Sequence, residues 1–212
     1  MKLIDFTLTQ FLNEVDSSSP APGGGSVSAL ASVLGLCLAK MVSHLTFNKK
    51  IFLELEEDVR KEYEANFNTL NNIKEELLPL IDKDTESFNM IMKAYGLPKE
   101  TEEERLIRSE SIQLATLEAI KTPFEIVKLS YKALEVIEKM LTYGNRNALS
   151  DIGVGSLLIA TGLEGAVLNV KINLSSLKDQ EKVLYYQQEV SNILEESKKI
   201  KERILLYVYQ NI

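Results

Sequence analysis

Asp84 is the first residue whose position suggests chemistry. Apolar residues recur at helical spacing through residues 51–95, and Asp84 falls on the centre of that stripe beside Phe88 and Ile91, as does Asn66. A carboxylate on an apolar face loses hydration, and this raises its pKa toward values useful for exchanging a proton with a substrate. Periodicity alone leaves a structural role open, in which Asp84 pairs with a buried lysine or emerges near the end of a bundle.

A second polar face follows later in the chain. Six small or polar residues share one side of the helix predicted from residue 147, namely Asp151, Gly155, Gly162, Ala166, Asn169 and Asn173. Each glycine costs a helix about 1 kcal/mol relative to alanine, so this face must gain stability from close contact. The contact is either another helix or a flat ligand.

The segment before the first apolar helix is rich in glycine. Gly23, Gly24 and Gly25 precede Ser26, so free backbone N–H groups at a helix start form a generic cradle for an anion. A flexible lead-in to the helix is the alternative, because the lysine of a phosphate-binding loop is absent. Small residues continue along this helix at steps of three and four, which predicts close packing against the face that carries Asp151.

Several catalytic chemistries are excluded by composition. His44 is the only histidine and Cys37 the only cysteine, so the chain lacks the residue clusters that hold zinc or iron. The sequence has no nucleophile-elbow motif to supply a serine that His44 could deprotonate, which disfavours a Ser-His-Asp hydrolase. We expect no metal and a structural thiol at Cys37.

Helices account for the whole chain. The pattern predicts helices at residues 7–15, 26–45, 51–95 (with a bend at Pro79), 102–121, 123–141, 147–174 and 177–209. Proline 123 fits the first turn of a new helix. With no repeat or linker, the sequence predicts an all-α, single-domain helical bundle over residues 1–212, with one long helix.

Charge and composition limit the partners. The 212 residues are 45% hydrophobic and 26% charged, with a net charge of -7 and no concentrated basic stripe. This argues against nucleic acid and an anionic membrane surface as partners. The apolar run of residues 29–42 is interrupted by Lys40, and the N-terminus lacks the pattern of a signal peptide. We therefore expect a cytoplasmic protein in a reducing compartment.

Three motifs in order resemble one family. SPAPGGGSVSALASVLG (residues 19–35), DxxSFNMIMKAYGLPK (84–99) and GNRNALSDIGVGSLLIATGLEGAVLNVKINL (144–174) look like the cyclodeaminase/cyclohydrolase family of folate enzymes. That family includes the C-terminal domain of formimidoyltransferase-cyclodeaminase and stand-alone methenyltetrahydrofolate cyclohydrolases. The resemblance implies an all-α homodimer, no permanently bound cofactor, no metal, and a tetrahydrofolate derivative as substrate.

The resemblance also assigns roles to the polar residues. Asp84 and Asp151 become the two candidate proton carriers, and the expected substrate-binding residues are Gly23, Gly24, Gly25, Ser26, Asn145, Asn147, Ser150 and Asn169. The main hypothesis is cyclisation of 5-formiminotetrahydrofolate to 5,10-methenyltetrahydrofolate with release of ammonia. Hydrolysis of 5,10-methenyltetrahydrofolate to 10-formyltetrahydrofolate is the alternative, and a non-catalytic helical dimer is the third.

Overall fold

A computed structural model describes residues 2–212, and within them the chain is helical with no β-strand. The elements are α1 (Leu8–Val15), α2 (Gly24–Phe47), α3 (Lys50–Leu53), α4 (Glu57–Leu77), α5 (Leu80–Tyr95), α6 (Glu102–Met140), α7 (Leu149–Leu174) and α8 (Gln180–Asn211). The all-α fold class predicted from the sequence is confirmed.

The centre of the bundle is an antiparallel pair, α2 and α7. A Cβ added to Gly35 would lie 2.4 Å from the Gly155 carbonyl oxygen, and one added to Gly162 would lie 2.1 Å from Ser32 Oγ. The two backbones therefore touch where both helices carry small residues, which confirms the predicted pairing of the two small faces. Helices α4, α5 and α6 pack around this pair, and α8 covers α7 and α6.

Helices α2 and α7 are also the most apolar segments of the chain. Gly24–Phe47 and Arg146–Leu174 reach the length and hydropathy of a membrane span, but at least half of the apolar window of each is buried inside the bundle. Core helices of globular proteins have the same composition. Their central position accounts for the buried half of this apolar surface.

The helix predicted over residues 51–95 is three helices in the structure, so that prediction was wrong in its continuity. The chain turns after α3, where the buried Phe52 ring packs edge-on against Tyr63 of α4 at 5.2 Å. It breaks again before α5, because Pro79 has no N–H for the helical hydrogen bond. Asp84 consequently belongs to a separate 16-residue helix, α5.

The prediction of two helices over residues 102–121 and 123–141 was also wrong. The structure has one helix there, because α6 continues for 39 residues through Pro123. Proline at this position leaves the Ala119 carbonyl without its usual donor. The Asn173 side chain of α7 supplies a replacement, with its Nδ2 donating to the Ala119 oxygen at 2.8 Å. A side chain from a neighbouring helix thus keeps α6 continuous.

Candidate active site

Asp84 meets the N-terminus of α2 through Ser26. The Ser26 backbone N–H donates to Asp84 Oδ2 at 2.9 Å, and its hydroxyl oxygen lies 3.3 Å from the same carboxylate oxygen. The Ser26 hydroxyl also donates to the Ile81 carbonyl at 2.7 Å and lies 3.2 Å from Thr85 Oγ1. These contacts fix the carboxylate against the first turn of α2, where unpaired helix N–H groups favour negative charge.

Gly25 is required by this arrangement. A Cβ at Gly25 would lie 2.1 Å from Asp84 Oδ1 and 2.4 Å from its Cγ, closer than any real contact. Gly24 is less restricted, since its added Cβ would lie 3.1 Å from Asn169 Nδ2. The glycine run therefore lets α2 approach a carboxylate from α5 and an amide from α7.

These residues border a cavity of about 290 Å³. Its polar side is formed by Asp84, Asn169 and Asn173, and its apolar side by Phe88, Ile91 and Ile172. The loop before α2 closes one edge with Pro20, Ala21, Gly23 and Gly24. A cavity with one apolar wall and a few convergent polar groups suits a flat heterocycle that carries amide-like edges.

The electrostatics of Asp84 follow from its half-buried position. Desolvation raises the pKa of the Asp84 carboxyl above its usual value, and the hydrogen bonds from the backbone and side chain of Ser26 oppose that rise. A raised pKa lets the group hold a proton more readily than an exposed aspartate. Asp84 therefore has the properties of a proton carrier at the edge of an apolar cavity.

The amides of α7 lie on the same cavity. Asn169 Nδ2 donates to the Gly165 carbonyl at 2.9 Å, which fixes the amide beside Gly24. Asn173, which the sequence placed on the correct helix face but not in the site, lines the cavity while it donates to Ala119. Thr85, whose hydroxyl contacts that of Ser26, was also not predicted as a site residue. Pro123 was the feature of the sequence that could have indicated Asn173. A proline inside a helix leaves one carbonyl without its backbone donor, so another element must supply a hydrogen bond.

The other predicted site residues lie at the opposite end of α2. Asn145 donates from its backbone N–H to Thr46 Oγ1 at 2.9 Å, and its Oδ1 accepts from the Asn147 N–H at 3.1 Å. Ser150 is exposed and Asp151 is half-buried in the first turn of α7. A separate cavity of about 410 Å³ is lined by Asn145, Asn147, Lys49 and Arg146, among others.

The predicted site is thus divided within one chain. The structure brings together Gly23, Gly24, Gly25, Ser26, Asp84 and Asn169. A second group lies apart from them: Asn145 and Asn147 line the other cavity, and Ser150 and Asp151 follow in the first turn of α7. From Ser26 to Leu45 the helical rise corresponds to about 30 Å. Asp151 and Asn169 share a face of α7 but lie about 27 Å apart along it.

Metal-binding groups are absent from the part of the chain that the structure describes. Within residues 2–212, no three histidine, cysteine, aspartate or glutamate side chains are grouped closely enough to hold an ion. The donors around Asp84 are instead a serine, two asparagines and backbone N–H groups.

Comparisons with known proteins agree on one family. A sequence profile of the formiminotransferase-cyclodeaminase family matches residues 7–207. The methenyltetrahydrofolate cyclohydrolase of Methylorubrum extorquens is 34% identical over 198 residues, which cover 93% of both chains. The formimidoyltransferase-cyclodeaminase of Rattus norvegicus is 32% identical over 92% of this chain, which spans only 36% of that relative.

A solved structure agrees with this result. The crystal structure of formiminotetrahydrofolate cyclodeaminase from Thermotoga maritima matches 97% of this chain and 95% of its own, with a TM-score of 0.77 and 28% identity. Fold, motif order and sequence similarity therefore lead to one conclusion: the chain belongs to the formiminotransferase-cyclodeaminase family.

Proposed function

We propose that this protein acts on a tetrahydrofolate one-carbon derivative, with cyclodeamination of 5-formiminotetrahydrofolate as its main reaction. The observation that carries the proposal is the Asp84 carboxylate, held by Ser26 at the edge of a half-apolar cavity with its pKa raised by burial. Cyclodeamination needs one proton carrier beside a flat ring system and no covalent nucleophile.

Asp84 performs two linked proton transfers in the proposed reaction. N10 of the folate attacks the carbon of the protonated N5-formimino group, and Asp84 accepts the N10 proton as the new C–N10 bond forms. The tetrahedral adduct then takes that proton on its amino nitrogen, and the bond to carbon breaks to release ammonia. The product is the cyclic methenyl cation. Asp84 is by then deprotonated again, and its negative charge stabilises the cation.

Cyclohydrolysis is the second candidate, favoured by the full-length match to the Methylorubrum extorquens cyclohydrolase. Here Asp84 accepts a proton from water as it adds to the methenyl carbon. It gives that proton to N5 as the C–N5 bond breaks, and the hydroxyl group loses its own proton to solvent as the formyl carbonyl of 10-formyltetrahydrofolate forms. 5,10-Methenyltetrahydrofolate absorbs light at wavelengths where neither 5-formiminotetrahydrofolate nor 10-formyltetrahydrofolate absorbs. Incubation with 5-formiminotetrahydrofolate should therefore produce this absorbance, and incubation with 5,10-methenyltetrahydrofolate should abolish it if the protein is a cyclohydrolase. Turnover of neither substrate would contradict the proposal and favour a non-catalytic helical dimer.

The proposal includes a homodimer that completes the site. The outer faces of α2 and α7 expose apolar side chains along their length, including Leu34 (50% exposed) and Leu168 (65% exposed). Burial of this face against a second copy removes it from water. A two-fold axis across the middle of the α2–α7 pair would bring the Asp84 end of one copy to the 145–151 segment of its partner, joining the two groups of predicted residues.

The proposed reaction uses neither a metal nor a permanently bound cofactor. Proton transfer and charge stabilisation are both within the capacity of Asp84 and its polar neighbours. We expect turnover to be unchanged after treatment with EDTA and dialysis. A stoichiometric metal in the purified protein, whose removal abolishes turnover and whose return restores it, would contradict this.

A further inference from the structure

Asn173 is a cavity residue to which the proposed reaction assigns no role. It lies near the C-terminal end of α7, half-buried, and lines the cavity of about 290 Å³ beside Asp84. Its Nδ2 donates to the carbonyl oxygen of Ala119 at 2.8 Å, and Ala119 lines the same cavity. That bond supports α6 at Pro123, but it uses only one end of the amide.

The bond to Ala119 decides which end of the Asn173 amide is left for a ligand. A backbone carbonyl accepts hydrogen bonds and donates none, so the group that faces Ala119 is the NH2 group of the amide. The oxygen, Oδ1, is therefore the end that remains unbonded. Pro123 maintains this orientation, because residue 123 has no N–H of its own to offer the Ala119 carbonyl.

Asn169, one helical turn earlier, has the same orientation. Its Nδ2 donates to the Gly165 carbonyl at 2.9 Å, which leaves its Oδ1 unbonded as well. Among residues 2–212, no protein donor reaches the Oδ1 atom of either amide, and neither atom is sealed inside the protein. Both amides are therefore fixed with their oxygens free to bind a ligand.

Asp84 adds a third free oxygen to the cavity. Its Oδ2 faces the Ser26 N–H and hydroxyl, whereas its Oδ1 lies against Gly25, which has no side chain to bond to it. All three polar side chains that line the cavity thus offer an unbonded acceptor, and the other side chains of the lining are apolar. A ligand that displaces water from these oxygens without supplying donors loses free energy, so this lining favours a ligand with N–H groups on its edge.

We propose that Asn173 is a substrate-binding residue, whose oxygen accepts a hydrogen bond from an N–H group of the tetrahydropterin ring. This inference rests on the proposed function. A tetrahydropterin carries N–H groups at N3, at N8 and on its 2-amino group, and the reaction at N5 and N10 changes none of them. An amide oxygen does not exchange protons near neutral pH, so Asn173 contributes to binding, while Asp84 transfers the proton.

The variant Pro123→Ala separates substrate binding from the support of α6. An alanine at 123 supplies the N–H that proline lacks, and the Ala119 carbonyl has two lone pairs, so it accepts this donor beside Asn173. Pro123 does not line the cavity, and we expect Pro123→Ala to have wild-type turnover. In this background, Asn173→Ala removes the acceptor from the cavity without leaving the Ala119 carbonyl unpaired.

The measurements are KM and kcat for whichever of the two reactions the wild type catalyses, and the Kd of tetrahydrofolate by titration calorimetry. Tetrahydrofolate has the complete ring and no one-carbon unit. Relative to Pro123→Ala, the double variant Pro123→Ala/Asn173→Ala should raise both KM and this Kd about tenfold, as for the loss of one hydrogen bond that leaves its donor unpaired. The value of kcat should change less than about threefold, because the lost contact is the same before and during the reaction.

The matched control is Ser130→Ala in the same Pro123→Ala background. It removes another buried hydrogen bond of α6, the 2.8 Å contact with Ser32 Oγ, at a residue that does not line the cavity. The free energy of unfolding should fall, while KM and the Kd of tetrahydrofolate remain those of Pro123→Ala. A rise in both constants equal to that of the Asn173 variant would show that weakened packing of α6 is sufficient, and would overturn the proposal.

The outcomes separate this proposal from the proposed function. Wild-type turnover with a rise in both KM and Kd confined to the Asn173 variant supports both. Wild-type turnover with an unchanged Kd for tetrahydrofolate in that variant overturns the binding role of Asn173 and leaves the proposed function standing. If the wild type converts neither folate, the proposed function is overturned, and the Kd of tetrahydrofolate alone decides on Asn173, with no binding to the wild type overturning its role as well.

Discussion

The two ends of the α2–α7 pair carry predicted site residues of similar type but differ in how completely the chain arranges them. At the Asp84 end, a carboxylate, a backbone N–H and two amides converge on one cavity. At the Asn145 end, the Asn145 side chain donates to the Leu45 carbonyl and accepts from the Asn147 N–H, and Ser150 is exposed. A single chain therefore gathers one of the two groups of predicted residues around a cavity with a carboxylate, and the proposed dimer would supply the other group from a second copy.

Long-range packing positions the predicted site residues at both ends. Asp84 has its unusual environment because Ser26 and Gly25, 58 and 59 positions earlier, pack directly against it. Asn145 is held across a longer separation, because it bonds to Thr46 and Leu45 at the C-terminal end of α2, 99 and 100 positions earlier. Because this packing places a desolvated carboxylate at one end only, changes at the two ends should have different consequences.

The largest effect is expected for Asp84→Asn. Loss of the proton carrier should lower kcat by about 100-fold or more, with little change in folate binding. The protein should still fold, because an amide is easier to bury than a charge and its oxygen can still accept from the Ser26 N–H. The control is Glu86→Gln, which removes one exposed charge from the same helix. A folded Asp84→Asn protein with normal turnover would make Asp151 the leading proton carrier.

The pH dependence of stability gives a second readout of the same residue. Because the pKa of Asp84 is raised in the folded state, that state binds more protons than the unfolded chain between the ordinary aspartate pKa and the raised one. Asp84 therefore lowers stability as pH rises through that interval. Urea unfolding at several pH values should show that the Asn variant loses this dependence and gains stability relative to wild type near neutral pH.

Gly25→Ala should have the next largest effect. Its Cβ would overlap the Asp84 carboxylate, so the side chain must leave its bond to Ser26, and kcat should fall by at least about tenfold. Gly24→Ala is the matched comparison, since its Cβ meets only the end of the Asn169 amide at 3.1 Å. We expect a clearly smaller loss of kcat in that variant. Equal losses in the two variants would contradict the close contact between Gly25 and Asp84.

Mixing variants tests whether the open end is completed by a second copy. Asp84→Asn and Asn147→Ala proteins, each of low activity, are unfolded together and refolded as an equal mixture. In a two-fold dimer with shared sites, half of the dimers are mixed and carry one intact site, so activity should return to about one quarter of wild type. Separate refolding of each variant is the control. Activity no higher than the mean of the two variants would contradict a shared site.

The smallest expected effect concerns the support of α6. Asn173→Ala leaves the buried Ala119 carbonyl without a donor and should cost about 1–2 kcal/mol of unfolding free energy. In a Pro123→Ala background the residue at 123 has an N–H of its own, and the same change should cost less than about 0.5 kcal/mol. Urea unfolding of the wild type, the two single variants and the double variant measures this double-mutant cycle. Equal costs in both backgrounds would show that Asn173 does not replace the missing donor.

The sequence was sufficient for the fold class and for the pairing of α2 with α7. Helical periodicity and runs of small residues depend on local spacing, and the Gly35–Gly155 contact follows from them. Helix ends were less predictable. Pro123 was interpreted as a helix start because its replacement donor, Asn173, lies 50 positions later, and the turn after α3 depends on the packing of Phe52 against Tyr63.

The candidate site could be predicted in part. Asp84 and the glycine run were identified, and the structure places them in contact. The separation of Asp151 from Asn169 was within reach of the sequence, because 18 residues of the one predicted helix span about 27 Å. The sequence could not show that Lys99, Arg105, Arg108 and Lys178 line one cavity, because these cations form no stripe in the sequence.

The contact between Ser26 and Asp84 also has a consequence for folding. It joins α2 to α5 across 58 residues, so the carboxylate acquires its environment only when the two helices dock. A compact intermediate with every helix formed but loosely packed would have native helical content and no organised active site. During refolding, recovery of turnover should therefore follow recovery of the far-ultraviolet circular dichroism signal, and the interval between them measures the time taken by tertiary docking.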